Sequence, residues 1–132
     1  MKEIREFFKK DRFAAHNDIK LLELRPGYAK AELTVNDHHL NGVNITHGGA
    51  VFTLADLVFA VASNSHGTVA VGVNASISYL KATTKGSTLT AEGREVAINP
   101  KLATYQIDIR DEKQELIAVF QGTVYRKKTP LT

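Results

Sequence analysis

The chain has no cysteine, which removes disulfides, thiol nucleophiles and cysteine-based metal sites together and fits a reducing, cytoplasmic compartment. It also has no long hydrophobic run. The longest unbroken one, Leu57 to Ala62, is far short of the roughly 20 apolar residues that cross a bilayer. The opening stretch, MKEIREFFKK, scatters charge where a signal peptide would be apolar, so neither secretion nor membrane association is expected. Repeats and low-complexity segments are missing as well. The net charge is only +3, its basic residues are spread along the chain, and no helix-turn-helix, zinc-finger or RNP-type pattern accompanies them. Nucleic acid is therefore not an expected partner.

What is present suits one globular domain: 132 residues, 43% hydrophobic and 23% charged, enough to bury a core and too few for two units. Ile4, Phe7 and Phe8 recur at i, i+3, i+4 and predict a short amphipathic helix over residues 2–10, with a link completing an N-terminal segment 1–18. Pro26-Gly27 separates strand-like runs 19–24 and 28–35, and the second places Ala29, Ala31, Leu33 and Val35 on one face. Residues 36–49 have no period and read as a loop. From Gly48 to about Ser65 apolar residues cover nearly every side of a helix, which must then be buried all round.

The remainder is strand. Val71, Val73, Ala75, Ile77 and Tyr79 alternate, residues 83–87 turn, and runs follow at 88–98, 102–110 and 116–127, with short connections that favour an antiparallel meander. The sum is an α+β domain in which a strongly curved antiparallel sheet wraps one long central helix. A single sheet covers one side of such a helix. A second copy of the chain is the economical cover for the other, so at least a dimer is expected.

Two features of the helix stand out. Asp56 is the only charged residue between Gly48 and Ser65, and its neighbours at three and four residues, Phe52, Thr53, Phe59 and Ala60, include no cation. It is either a carboxylate satisfied elsewhere in the fold or at an edge, or a nucleophile or general base held in a cleft. Gly48-Gly49 places two costly residues in a first helical turn. They serve either tight packing or the presentation of bare N–H groups to a developing oxyanion. Asn41 and His47 flank the same place and could cap the loop or hold a substrate carbonyl. His38, His39 and His47 match no compact zinc spacing, so no metal is expected.

Gly48 and Asp56 lie eight residues apart, roughly 12 Å along one helix at about 1.5 Å per residue. One carbonyl cannot touch both in one subunit. If both act on the same atom, the helix start of one subunit must face Asp56 of another across a symmetric interface.

The stretch NGVNITHGGAVFTLADLVFAVASNSHG, from Asn41 to Gly67, resembles the signature of hotdog-fold thioesterases of the PaaI type. The resemblance continues in AVGVNASISYL and in the closing FQGTVYR. It implies a sheet curled around one long helix, dimers that pair into tetramers, and hydrolysis of acyl-CoA, aryl, arylacetyl or medium-chain, without metal or prosthetic group. By the same resemblance the Gly48 N–H polarises the thioester carbonyl, Asn41 and His47 shape that side of the site, and Asp56 of a partner attacks the carbonyl or activates water. Gly49, Asn64, Gly72, Lys81 and Lys85 fall at positions expected to meet substrate, the lysines through CoA phosphates. Where some relatives carry a Ser or Thr hydroxyl on the strand after the helix, this chain has Gly72. The competing expectations are a non-catalytic acyl-CoA sensor of the same fold, for which the residues before the first strand are too few to hold a DNA-binding segment, and a hotdog dehydratase, whose Asp-His loop pattern is not found.

Overall fold

The computed structural model describes residues 1–132. Two short helices open the chain, α1 (Lys2–Phe8) and α2 (Arg12–His16). The second was read as part of a link. Asp11 starts it, its side chain accepting the Ala14 N–H at 3.0 Å, the usual way an aspartate satisfies an orphan donor of a first turn. Strands β1 (Lys20–Arg25) and β2 (Tyr28–Thr34) then form a hairpin turned at Gly27, whose φ of +73° suits glycine. A one-turn 3-10 helix, Asp37–His39, interrupts the loop before the long helix α3 (Gly48–Asn64).

Strands β3 (Thr68–Tyr79), β4 (Thr88–Ile98), β5 (Leu102–Arg110) and β6 (Leu116–Pro130) complete one six-stranded antiparallel sheet of order β1-β2-β4-β5-β6-β3. This is the curved sheet around a central helix that the hotdog resemblance implies. Only β4, β5 and β6 are a meander. Strand β3 does not pair with β4, despite the short connection at 80–87, but with β6 along its whole length. It therefore ends the sheet as an edge strand of 12 residues whose outer side is unpaired. Val71, Val73 and Tyr79 on it are exposed.

The sheet's inner face and α3 make the core. Leu54, Ala55, Val58, Val61 and Ala62 of the helix are fully buried against Ala31 and Leu33 of β2, Leu89 of β4, Tyr105 and Ile107 of β5 and Phe120 of β6. Small residues set how closely sheet and helix approach. A Cβ at Gly122 would lie 2.7 Å from the Phe59 ring, and one at Gly93 would lie 2.6 Å from Val58. Within this chain α3 is not buried all round. Gly49 and Asp56 are exposed, and Phe52, Thr53 and Ala60 are half-buried, so one stripe of the helix is left uncovered by its own sheet.

Candidate active site

The N-terminus of α3 is built to leave one donor free. His47 is the N-cap, with extended backbone, and its Nδ1 accepts the Gly49 N–H at 2.8 Å. The neutral ring then carries its proton on Nε2. Ala50 and Val51 donate to the His47 carbonyl. The Gly48 N–H, first of the helix, has no acceptor in the chain, and it carries the positive end of a 17-residue helix. Of the glycine pair, Gly48 offers its N–H while Gly49 has given its own to the cap.

Gly48 lines a cavity of about 320 Å³ with Asn41, Tyr79, Leu80, Lys81 and Ile117. Asn41 Oδ1 accepts from the backbone of Val43 and Ile45 at 3.0 and 3.3 Å. That fixes the loop and leaves its Nδ2 as a second donor on the wall of the same cavity. Tyr79, which strand alternation marked only as an apolar member, holds the helix start on the wall of this cavity: its hydroxyl donates to the Gly48 carbonyl at 3.1 Å and its ring covers the Gly48 Cα. Below the loop Thr46 and Thr83 pair their buried hydroxyls at 2.7 Å. They are 37 positions apart, and the sequence carries no signal for that pair.

Asp56 lies two turns along α3 on the uncovered stripe. No cation faces it. Partial burial against its apolar neighbours raises its pKa above the ordinary 3.8, and the negative charge of Asp11 raises it further. A carboxylate so placed is a stronger base once ionised. At about 12 Å from Gly48 along the helix the two do not meet within one chain.

The remaining residues divide. Asn64, at the far end of α3, is buried with its amide committed: Nδ2 donates to the carbonyls of Ala60 and Ala70, and Oδ1 accepts the Ala70 N–H. It fastens the helix end to β3. Gly72 leaves room for Phe59, whose ring would lie 3.2 Å from a Cβ there. Lys81 pairs with Glu115 and, at 3.6 Å, with Asp111, and Lys85 pairs with Asp37 at 2.9 Å. Asp18, His38 and His39 bring ligand-type atoms within 4.8 Å of one another. Both ring nitrogens of His39 are already held, however, by the Asn36 N–H and the Asn17 carbonyl, each at 2.9 Å, so the group is one ligand short of a three-residue chelate.

Comparison with known proteins places the chain in a family. Residues 43–118, which include Gly48, Asp56 and Tyr79, match the thioesterase superfamily. A protein of Archaeoglobus fulgidus that carries the provisional name esterase is 46% identical over 119 residues, 90% of this chain and 77% of that one. The acyl-coenzyme A thioesterase PaaI of Escherichia coli K12 is 34% identical over 90% of this chain and 85% of its own length. The solved structure of the Escherichia coli PaaI protein superposes with a TM-score of 0.93 at 32% identity, covering 97% of this chain and 93% of the other. A Streptococcus mutans protein bound to acetyl CoA superposes at 0.81 with 27% identity, over 85% of this chain and 90% of its own. With the match spanning most of the domain and the free helix-end donor and lone acid both inside it, the chain belongs to the thioesterase superfamily, with the hotdog fold of its PaaI branch.

Proposed function

We propose that this protein hydrolyses acyl-CoA thioesters at a site shared between two copies of the chain. The Gly48 N–H and Asn41 Nδ2 of one copy receive the thioester carbonyl oxygen, and the partner's Asp56 attacks the carbonyl carbon or takes a proton from the water that does. Either way negative charge passes to the carbonyl oxygen in the tetrahedral intermediate. A preorganised donor there is worth about 10² to 10³ in rate. Collapse of the intermediate breaks the C–S bond, and the CoA thiolate leaves and takes up a proton; where Asp56 is the nucleophile the acyl group stays on it as a mixed anhydride, which water then cleaves to restore the carboxylate. The products are a carboxylic acid and free CoA. A carboxylate, water and fixed N–H donors are sufficient for this chemistry, so no metal or prosthetic group is required.

The observation that carries the reading is the pairing of an unsatisfied Gly48 N–H on a cavity wall with an acid that the same chain holds out of its reach. The unpaired edge of β3 and the open stripe of α3 support a dimer in which two edges join and two helices face each other. Two such dimers pairing would give a tetramer. The relative from Escherichia coli carries the name acyl-coenzyme A thioesterase, which supports CoA as the carrier. We favour aryl, arylacetyl or medium-chain acyl groups and a cytoplasmic location; no helix is long and apolar enough to cross a membrane.

The test is complementation. Asp56→Ala and Gly48→Val are each expected to lose at least about 10²-fold in turnover. Dissociated, mixed in equal amounts and reassociated, half the dimers are hybrids with one intact site of two, so about a quarter of wild-type activity should return. If hybrids form and remain inactive, the site is not shared.

A further inference from the structure

A second cavity, of about 400 Å³, lies between the N-terminal helices, β1 and α3. Its walls are Phe8, Ala14, Ile19, Leu21, Leu57 and Val61. Resting on the acyl-CoA reading above, we propose that this cavity takes the acyl group of the substrate, which makes residues 2–22 the part of the chain that selects it, in favour of a single-ring or medium-length alkyl group.

Position is the first support. Leu57 and Val61 are one helical turn apart on α3, and Leu57 directly follows Asp56. Asp11, another lining residue, is close enough for its charge to act on Asp56. An acyl group whose carbonyl is within reach of Asp56 can therefore run into this space.

Chemistry is the second. Eight of the twelve wall residues are hydrophobic and four are charged, Arg5, Lys9, Asp11 and Lys20; Asp11 caps α2 through Ala14, Arg5 Nη1 donates to the Leu21 carbonyl at 3.3 Å, and Lys9 is paired with Glu6. No buried side-chain polar atom in the protein is left without a partner. The hydrophobic majority of the wall holds an occupant by burial, which favours hydrocarbon. The volume lies at the lower end of the roughly 300–1,000 Å³ usual for small-molecule sites, too small for CoA and sufficient for a ring or a chain of modest length.

The test is a series of acetyl-, butyryl-, octanoyl- and phenylacetyl-CoA with the full chain, read as kcat/KM by thiol release. In the wild type each methylene buried should raise kcat/KM by up to about fourfold, the fold-change of 0.8 kcal/mol. Ala15→Phe, at an exposed helix position that lines the cavity, should cut the octanoyl-to-acetyl ratio at least about fivefold. Phe8→Ala, which enlarges the space, should move the preferred chain length upward. Ratios within about twofold of wild type in both folded variants would overturn the assignment while leaving the hydrolase reading intact. No turnover of any of the four by the wild type would overturn both.

Discussion

Substituting Gly122 by alanine tests how the sheet places the helix that carries the acid. Gly122 sits on β6, paired with Ala75 on one side and Tyr105 on the other. An added Cβ would lie 2.7, 2.8 and 2.9 Å from three atoms of the Phe59 ring, well inside the roughly 3.5–4.0 Å of comfortable carbon contact. The ring cannot swing clear, since Phe120 and Tyr105 stand 5.5 and 6.1 Å from it, centroid to centroid. Overpacking of this kind costs about 1–3 kcal/mol. For 132 residues, unfolding entropy of about 2.1 cal/mol/K per residue converts that to a fall in Tm of about 4–11 °C. Phe59 lies three residues beyond Asp56, so a displaced helix should also lower kcat. Thermal unfolding and turnover should be followed in Gly122→Ala, Phe59→Leu and the double variant. The double should be more stable than the sum of the single penalties by about 1–2 kcal/mol, because the shortened side chain admits the new methyl. Strictly additive penalties, or a Gly122→Ala Tm within about 1 °C of wild type, would refute the packing account.

Two further outcomes follow from the site. Because burial and then Asp11 raise the Asp56 pKa, the acid limb of kcat/KM should have its midpoint above 3.8, and Asp11→Asn, which keeps the helix cap, should move it down; an unmoved limb would separate Asp11 from the site. For stability the sign is opposite to that of a salt-bridged acid: a raised folded pKa contributes stability present below the unfolded value and lost as pH rises through the folded one. Asp56→Asn should accordingly match the wild-type Tm at strongly acid pH and exceed it at neutral pH, by a small margin since the side chain reaches solvent. Finally, Asn64→Ala should cost about 1–3 kcal/mol, by orphaning the Ala70 N–H, with KM essentially unchanged; a large rise in KM at unchanged stability would instead make Asn64 a substrate contact.

Strand boundaries set by turn chemistry were legible in the sequence: β4 and β5 run over the residues their alternation predicted, and Pro26-Gly27 turns the first hairpin. Helix α3 was legible from its apolar density and its glycine start. Helix α2 was not, since five residues are too few to show a period and the Asp11 cap was its only mark. The pairing of β3 with β6 was hidden for a different reason. Period-two alternation says which face a residue takes and nothing about which strand lies beside it. In the site, Gly48 and Asn41 come together as their spacing suggested, because one loop delivers both. Tyr79 was invisible because its partner, the Gly48 carbonyl, lies 31 residues away in the chain, and nothing in a strand pattern distinguishes a ring that packs from one whose hydroxyl also holds a helix end.

Helix α3 is sealed on most of its circumference and open along Gly49, Thr53, Asp56 and Ala60. The sealed positions are constrained by a packed sheet to within a methyl group, as Gly93 and Gly122 show. The open ones answer to no side chain of the core. Substitution along that stripe can therefore change what the helix does without changing whether it folds. Such a scaffold lets a polar group on the stripe be exchanged, moved by a turn or lost while the curved sheet around the helix persists, and one architecture can accumulate new chemistries at little cost to stability.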